Sequence, residues 1–405
     1  MTLLAAPWWR QATRAACCAL ALGGLWTSPC EAQAPPSPGA GVYTDVQAEA
    51  WSNGLPVMHL DGDWRQGYVR RQGTQRAYAS ARLEVGGWLH WPPPAAGPPM
   101  PMWRLGALQR LDATAVMSGD AAEVLRLYQL RQDPDAPATY DAATRMRHWR
   151  GRGVAVHADW PLAAGWQLSM GWDAMALQRL RDLQTTGTVA YQADDSYAYR
   201  GTLHDDDSRY QALFMAAPAS QGQGAACSLG LSWSPARSGW ADGASEPWWP
   251  DRVSWRTDDA WSRLVWSGVN GNDAVLDSQV QTRDADGRVA YRAAIEGRYT
   301  RRTLVTDIPR RHSLALDWVR PSGRWSLQVV ERIGLWQRWL AWQGEPAAWG
   351  AQPMLALDPF ARAWRAGVQW GGLSVSYGSG LGEADERIRT LQVRLQWALW
   401  DAQTR

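Results

Sequence analysis

The densest cluster of residues that could carry out chemistry is His204-Asp205-Asp206-Asp207. Carboxylates this close together could bind Ca²⁺ or assist a water molecule in acid–base chemistry. The same residues also suit a solvated turn between two predicted strands, and we favour this interpretation because short acidic runs usually lie in solvent. None of the 6 histidines is paired with another at the spacing of metal ligands. The sequence therefore predicts no metal site and no cofactor.

A second candidate is Ser52-Asn53-Gly54, which is similar to the serine motif of outer-membrane phospholipases. In that motif a histidine stands two residues before the serine, and here Ala50 occupies the position. A serine hydroxyl without a neighbouring base is a weak nucleophile, whereas Ser-Asn-Gly is an ordinary turn sequence. The sequence therefore predicts no catalytic residue, and we expect that the chain is not an enzyme.

Charged side chains that recur at every second position are the better functional candidates. Arg82 and Glu84, for example, alternate with Leu83 and Val85. If such faces line a barrel lumen, their mixed charges can orient small polar or anionic solutes. The alternative is that the acids and arginines pair with one another and plug a narrow lumen. The predicted lumen-lining residues are Asp61, Asp63, Arg65, Arg82, Glu84, Arg104, Arg110, Asp112, Arg292, Glu296, Arg298, Asp317 and Arg332.

The elements that must position these side chains are strands, because apolar and polar residues alternate with a period of two. Near the C-terminus, Leu391, Val393 and Leu395 alternate with glutamine and arginine, and the run closes on Trp400. Residues 123–130 also fit a helical stripe but are predicted as a strand, while 234–251 and 343–362 are predicted loops. Alternating runs predict strands over residues 42–51, 58–68, 77–91, 102–117, 153–160, 166–172, 188–199, 210–216, 227–233, 261–266, 289–299, 312–319, 325–332, 364–370, 373–377 and 388–400.

Aromatic residues cluster near the ends of these strands, where amphipathic rings suit the two interfaces of a bilayer. The chain has 29 tryptophans, 2 phenylalanines and no lysine, a bias typical of a GC-rich genome. This bias explains why the aromatic residue is tryptophan, but it does not explain the positions. The predicted aromatic girdle consists of Trp88, Trp91, Trp160, Trp166, Trp233, Trp318, Trp325, Trp397 and Trp400.

The N-terminus has the pattern of an export signal. Arg10 and Arg14 precede a short apolar segment at residues 15–26, and small residues follow, which predicts cleavage after Ala32. A Pro-rich leader would then occupy residues 33–41. Cleavage leaves Cys227 as the one remaining cysteine, so we expect no internal disulfide. No later segment has the roughly 18 uninterrupted apolar residues of a transmembrane helix.

The length and the net charge of the chain limit the number of domains and the classes of function that it can have. A chain of 405 residues can form one large all-β domain or two medium ones. The formal net charge of +2 argues against a dedicated nucleic-acid-binding protein. Many of the alternating runs reach about nine residues, which matches a tilted bilayer crossing better than the shorter strands of soluble proteins.

In its signal, its alternating strands and the terminal strand that ends on Trp400, the chain resembles Gram-negative outer-membrane β-barrel proteins of the porin-like kind. In that class the closing aromatic is usually the last residue, whereas here a short tail follows at residues 401–405. The resemblance implies an all-β, closed antiparallel transmembrane barrel over residues 42–400, with about 14–18 strands. It also implies residence in the outer membrane, contact with lipid and assembly by the barrel-insertion machinery.

Three functions are compatible with this sequence. The leading hypothesis is a passive channel for small polar solutes. The second is a non-conducting barrel that serves a structural, envelope-assembly or partner-docking role. The third is a soluble exported β-protein that binds carbohydrate through exposed rings such as Trp248 and Trp249.

Overall fold

A computed structural model describes residues 39–57, 64–65, 67–92, 99–194, 196–210, 221–235, 248–279, 281–283, 289–291 and 294–401. Most of these residues, 72%, lie in antiparallel strands. The strands are β1 Gly39–Ser52, β2 Thr74–His90, β3 Met102–Ser118, β4 Ala138–Asp141, β5 Thr144–Pro161, β6 Trp166–Tyr191, β7 Tyr197–Asp207, β8 Gln221–Trp233, β9 Arg252–Asp277, β10 Gln281–Arg283, β11 Val289–Tyr291, β12 Ile295–Thr306, β13 Arg311–Arg320, β14 Gly323–Arg332, β15 Leu335–Gln343, β16 Ala351–Asp358, β17 Ala363–Trp370, β18 Leu373–Gly380 and β19 Ile388–Asp401.

The strands close into an antiparallel barrel of 14 strands. The ring runs through β1, β2, β3, β5, β6, β8 and β9, continues through β13 to β19, and closes where β19 pairs with β1. Closure leaves the wall without an unpaired edge, which a strand protein in lipid requires. The predicted fold class is therefore confirmed, at the lower end of the predicted strand number.

Two strands are far longer than a membrane crossing. β6 and β9 each contain 26 residues, whereas β16, β17 and β18 contain 8 each. A tilted strand crosses a bilayer with about 9–11 residues, so the distal halves of β6 and β9 project beyond it. These halves pair with β4, β7 and β12 to form a sheet that continues past the ring. We call β4, β7, β12 and these distal halves the extension.

The two ends of the barrel differ. Gly39 of β1 and Asp401 of β19 pair with each other, so both ends of the described chain lie at one end, the terminal end. The hairpin of β13 and β14 turns there within two residues, and so does that of β17 and β18. The opposite end, the distal end, carries most of the long connections, at residues 53–73, 119–143, 192–220 and 278–310, whereas the terminal end carries those at 91–101 and 234–251.

A helix, α1 at Gly119–Leu130, lies on the outer wall at the distal end. Ser118 caps it by accepting a hydrogen bond from the Ala121 N–H. The helix and the connection after β1 bury a small apolar cluster against the outward alanines of β1, β2 and β3. Burial alone would raise the pKa of Glu123, but its hydrogen bonds and charge interaction with Arg126 lower that pKa overall. Among the described residues, no helix is long and apolar enough to cross a membrane.

Several local predictions were wrong. Residues 123–130 belong to α1, because a serine cap and a helical apolar stripe outweigh the short alternation. Residues 64–65 form a turn, 67–68 lie outside any strand, and 58–63 and 66 lie outside the described residues. The segment 188–199 is the hairpin of β6 and β7, the predicted loop 343–362 contains β16, and the 289–299 run is split between β11 and β12. Residues 39–41 of the expected leader already belong to β1, while the signal segment lies outside the described residues.

The acidic cluster His204 to Asp207 is not a turn but the end of β7 in the extension. Its side chains are bound to neighbouring strands: His204 to Asp273, Asp205 to Arg181, Asp206 to Arg302 and Asp207 to Arg179. In the part of the chain that the structure describes, no group of three or more potential ligands could hold a metal ion. The cluster therefore ties strands of the extension together through ion pairs.

Candidate functional site

The charged faces of the strands point into the barrel. On β2, Arg82 and Glu84 face the lumen, while Val85 is exposed on the outer wall. On β3, Arg110 and Asp112 are buried, while Leu105 is 60% exposed. Because successive side chains of a strand point to opposite faces, the lumen receives the charges and the outside receives an apolar surface. A transmembrane barrel requires this arrangement.

A network of ion pairs crosses the lumen. Arg110 on β3 donates two hydrogen bonds to Asp259 on β9, at 2.7 and 2.6 Å. Its Nε donates to Asp112 at 2.7 Å, and the other oxygen of Asp112 accepts from Arg332 on β14 at 2.5 Å. β3 and β14 lie nearly opposite each other in the ring, so these side chains join facing walls.

Further contacts tie the remaining walls together. Arg82 on β2 binds Asp173 on β6 through two hydrogen bonds, at 2.6 and 2.9 Å. Glu49 on β1 lies 3.6 Å from Arg311 on β13 and 3.7 Å from Arg332. β1 and β13 face each other across the ring. Charges buried in this way require partners, and here the partners come from strands three to seven places apart in the ring.

A bulge supplies two of the carboxylates. Thr257 of β9 pairs with Leu229, and Trp261 pairs with Cys227, so residues 258–260 lie opposite the single residue Ser228. Asp259 adopts a φ of 55°, and its N–H donates to the Ser228 hydroxyl at 3.3 Å. Bulges re-aim side chains in this way. Asp258 binds Arg311 and Arg256, and Asp259 binds Arg110.

Apolar clusters fill the lumen toward the distal end. One contains Trp149, Leu180, Leu264 and Trp266 from β5, β6 and β9. The other brings Trp51 and Trp339 together from β1 and β15, with ring centroids 5.8 Å apart. Beside it, Gln337 donates to the Tyr78 hydroxyl at 2.5 Å. The distal half of the lumen is therefore packed like a protein core.

A cavity of about 380 Å³ remains inside the barrel, bounded by the ion-pair network. Eight arginines contribute to its lining, together with six carboxylates. Most of these arginines are held by acids, including Arg104 by Asp159 at 3.3 Å and Arg394 by Asp45 at 2.9 Å. Arg365 differs, because no described carboxylate forms an ion pair with it. Its guanidinium instead lies 4.6 Å from the centroid of the Trp339 ring.

The predicted lumen residues fall into three groups. Arg82, Glu84, Arg104, Arg110, Asp112 and Arg332 line the cavity, and buried Asp317 binds Arg324 at 2.8 Å. Three others lie elsewhere: Arg65 is exposed in the connection after β1, and Glu296 and Arg298 are exposed on β12. Those predictions were wrong, because alternation cannot distinguish a strand of the ring from one of the extension. Asp61, Asp63 and Arg292 lie outside the described residues.

Sequence reasoning missed other residues of the network, notably Glu49, Asp173, Asp259, Arg311 and Arg365. The alternation of the predicted strand 42–51 already places Glu49 on a polar face. That signal is local, however, and the partners of these residues come from strands far away in the sequence. Arg365 follows a single tryptophan in a short strand, and nothing in its sequence neighbourhood sets it apart.

The predicted girdle is mostly an outward belt at the terminal end. Trp166 and Trp233 stand 6.1 Å apart on adjacent strands, and Trp103 and Trp160 stand 5.5 Å apart. Trp248, exposed beside this belt, accepts a hydrogen bond through its carbonyl from the Trp318 indole. Among the remaining members, Trp91, Trp325, Trp397 and Trp400 are exposed at the same end.

One girdle prediction was wrong, because Trp88 is buried inside the barrel. It shares a strand face with Arg82 and Glu84, and only 6% of its surface is exposed. Its ring packs where Gly41 of β1 supplies no side chain, since a Cβ on that glycine would lie 2.4 Å from the indole nitrogen. A second outward set of rings, Trp336, Phe360, Trp364 and Tyr377, lies toward the distal end on β15 to β18.

No family model matches the chain, and no curated protein matches it. Solved structures that are similar in outline include the β domain of the Bordetella autotransporter BrkA, with 10% identity, 90% of this chain and 100% of that chain covered, and a TM-score of 0.26. The transport unit of the autotransporter AIDA-I from Escherichia coli has 8% identity, coverage of 95% and 96%, and a TM-score of 0.22. The siderophore receptor PirA from Pseudomonas aeruginosa has 10% identity, coverage of 90% and 82%, and a TM-score of 0.18.

TM-scores this low do not support an inference about the function of this chain. The assignment rests on the molecule itself: a closed antiparallel ring, an apolar outer wall with aromatic residues toward both ends, and a charged interior. These are the features of a Gram-negative outer-membrane β-barrel.

Proposed function

We propose that this protein is a closed outer-membrane barrel with a structural or partner-docking role. The observation that carries this proposal is the set of ion pairs that joins opposite walls, above all Arg332 with Asp112 and Glu49. An aqueous pore needs a continuous polar path, whereas here side chains from facing strands touch one another. A passive channel for small polar solutes stays a prediction, and this geometry favours the non-conducting alternative.

The extension supports the docking role. Outer-membrane barrels place their longer loops outside the cell and their short turns in the periplasm. On that basis the distal end, with its long connections, faces outward. The extension would then stand beyond the lipid and present exposed apolar side chains such as Ile295, Tyr299 and Val305 on β12. Exposed apolar residues of this size often mark contacts with another macromolecule.

Conductance tests the proposal directly. We expect purified protein, folded as judged by heat-modifiable migration on a denaturing gel, to give no steady current in a planar bilayer. The Arg82→Glu variant should also be silent, because the side chain lies in a closed network with Asp173 and Glu84. A steady current through the wild-type protein, with a selectivity that this substitution changes, would refute the proposal and support the channel.

Cysteine labelling tests which end of the barrel faces the outside of the cell. Arg298→Cys on the exposed face of β12 should react with a membrane-impermeant maleimide added to intact cells. A matched variant at the terminal end, Ser322→Cys in the turn between β13 and β14, should react only after the cells are opened. The reverse pattern would place the extension in the periplasm.

A further inference from the structure

The contact between β15 and β16 is an unusually short seam in the wall. Only four residue pairs join these two fully described strands, from Leu340 with Leu357 to Gln343 with Met354. The neighbouring ladder of β14 and β15 runs from Arg324 to Arg332 along the whole of β14. Toward the distal end, β15 continues past its last paired residue, where the Arg338 N–H donates to the Asp358 carboxylate at 2.6 Å instead of to a strand.

A proline weakens the same seam further. The Pro353 carbonyl accepts a hydrogen bond from the Gly344 N–H at 2.9 Å, so the main chain of Pro353 faces the β15 side. Proline has no N–H to donate in return, and it is normally confined to strand edges. The β15–β16 seam is therefore the place where the wall can separate at the smallest cost in hydrogen bonds.

Arg365 lies directly behind this seam on the inside. It belongs to β17, pairs with Ala356 of β16, and extends past that strand to the Trp339 ring on β15. Its Nε is buried and has no hydrogen-bond partner in the part of the chain that the structure describes. The nearest acid along this row of the wall is Glu49, which Arg311 and Arg332 already share. Arg365 is thus without a described carboxylate partner, while the buried Asp358 of β16 is held by the main-chain N–H groups of Arg338, Phe360 and Ala361.

The neighbours of Arg365 in the wall are two glycines and two residues with hydroxyl groups. Gly378 lies between Arg365 and Thr390 in the cross-strand row, and Gly367 lies opposite Ser376. A Cβ added to Gly378 would lie 2.6 Å from the Thr390 hydroxyl oxygen and 3.1 Å from the Arg365 Cβ, so the glycine allows these two side chains to approach each other. Thr390 is 6% exposed, and its hydroxyl has no hydrogen-bond partner among the described residues. Ser376 and Thr390 both line the cavity.

A guanidinium and two hydroxyls that line one cavity match the oxygens of a phosphate group. We propose that Arg365, Thr390 and Ser376 bind a phosphate-class anion, and that its source is the head group of an anionic membrane lipid that enters through the β15–β16 seam. The exposed apolar residues of the seam, Leu340, Leu355 and Leu357, would hold the acyl chains against the outer wall. This site does not depend on whether the barrel conducts.

Two binding measurements separate the sources of the anion. Inorganic phosphate is titrated by calorimetry into protein in a phosphate-free zwitterionic detergent. In parallel, protein from vesicles of phosphatidylcholine with a minor fraction of phosphatidylglycerol is analysed by native mass spectrometry for retained lipid. We expect the wild type to bind phosphate and to retain phosphatidylglycerol preferentially. Phosphate binding with no lipid preference would refute the lipid source, and no binding in either measurement would refute the site.

Substitutions then locate the site. Arg365→Gln should weaken both kinds of binding on the order of tenfold, as expected for the loss of a charge-assisted hydrogen bond, and Thr390→Val should weaken them less. Arg394→Gln is the matched control, because Arg394 lines the same cavity but is held by Asp45. Its binding should stay near that of the wild type. Equal binding by folded Arg365→Gln and wild-type protein would overturn the assignment.

A disulfide lock tests the entry route. In a Cys227→Ala background, Gln343→Cys with Met354→Cys would join directly paired residues across the seam and leave the three leucines that hold the acyl chains in place. The control lock is Val368→Cys with Val375→Cys across the ladder of β17 and β18. When vesicle lipid is added after oxidation, the seam lock should abolish retention of phosphatidylglycerol and the control lock should not. Lipid uptake that is unaffected by the seam lock would refute entry through β15 and β16.

Discussion

Replacing Arg332 by methionine is expected to destabilise the barrel by about 3–5 kcal/mol, the usual cost of leaving a buried charge without its partner. Arg332 is 3% exposed, and Asp112 and Glu49 lie beside its guanidinium. Methionine fills a similar volume but leaves these carboxylates short of positive charge. The free energy of unfolding, measured by reversible denaturation in thin-bilayer vesicles, provides the readout.

The matched control for this experiment is Arg394→Met. Arg394 also binds a carboxylate in the lumen, but its side chain is 41% exposed and that of its partner Asp45 is 16% exposed. Exposed ion pairs contribute about 0–1 kcal/mol, so the control should remain close to the wild type. Adding Asp112→Asn to Arg332→Met should recover part of the loss. A loss of less than about 1 kcal/mol for Arg332→Met would show that water reaches the network.

Replacing Leu327 by arginine is expected to destabilise the inserted barrel by about 2–4 kcal/mol, the cost of a cation on the lipid face near the bilayer midplane. Leu327 points outward near the middle of β14, directly paired with Leu316 of β13 and Leu340 of β15. Strands of 8 to 10 residues surround it, so neither interface lies within easy reach of the new charge. The measurement is again unfolding in vesicles.

Ile295→Arg is the control for the lipid-face substitution. Ile295 is 61% exposed, more than Leu327, but it lies on β12 of the extension. Surface substitutions away from packed groups usually change stability by less than about 0.5 kcal/mol. We therefore expect almost no effect, although the substitution is chemically similar. Equal losses at the two positions would place the extension in lipid as well and contradict the proposed boundary of the membrane.

The sequence predicts the wall far better than what the wall encloses. Alternation is a local property, so the residues of β2, β3, β13, β14 and β19 identify their strands and their lumen faces without knowledge of any partner. The girdle prediction misplaced Trp88, because it used the position near a strand end and did not apply the alternation of strand faces. The sequence analysis also missed β16, because its proline and the turns on either side of it are typical of a loop.

The candidate site depends on contacts that no local pattern encodes. Arg332 meets Asp112 from 220 positions away, and Gln337 meets Tyr78 from 259 positions away. Which acid binds which arginine follows from the curvature and stagger of the closed ring. The approach of Arg365 to Thr390 depends on Gly378 of the strand between them. Sequence reasoning could therefore state that charges face inward, and it left open whether they line a pore or close it.

The bulge in β9 has a consequence for how such a closed lumen can arise. At this bulge β9 has three residues opposite the single residue Ser228, and beyond it the side chains return to their faces, since Trp255 before it and Trp261 after it are both exposed. β6 absorbs one extra residue, Gln178, between the pairs Arg150–Arg179 and Gly151–Leu177. A bulge can therefore add inward carboxylates to the wall while the lipid-facing surface stays unchanged. Closure of the lumen and anchoring in lipid are thus set by separate residues of the same strand.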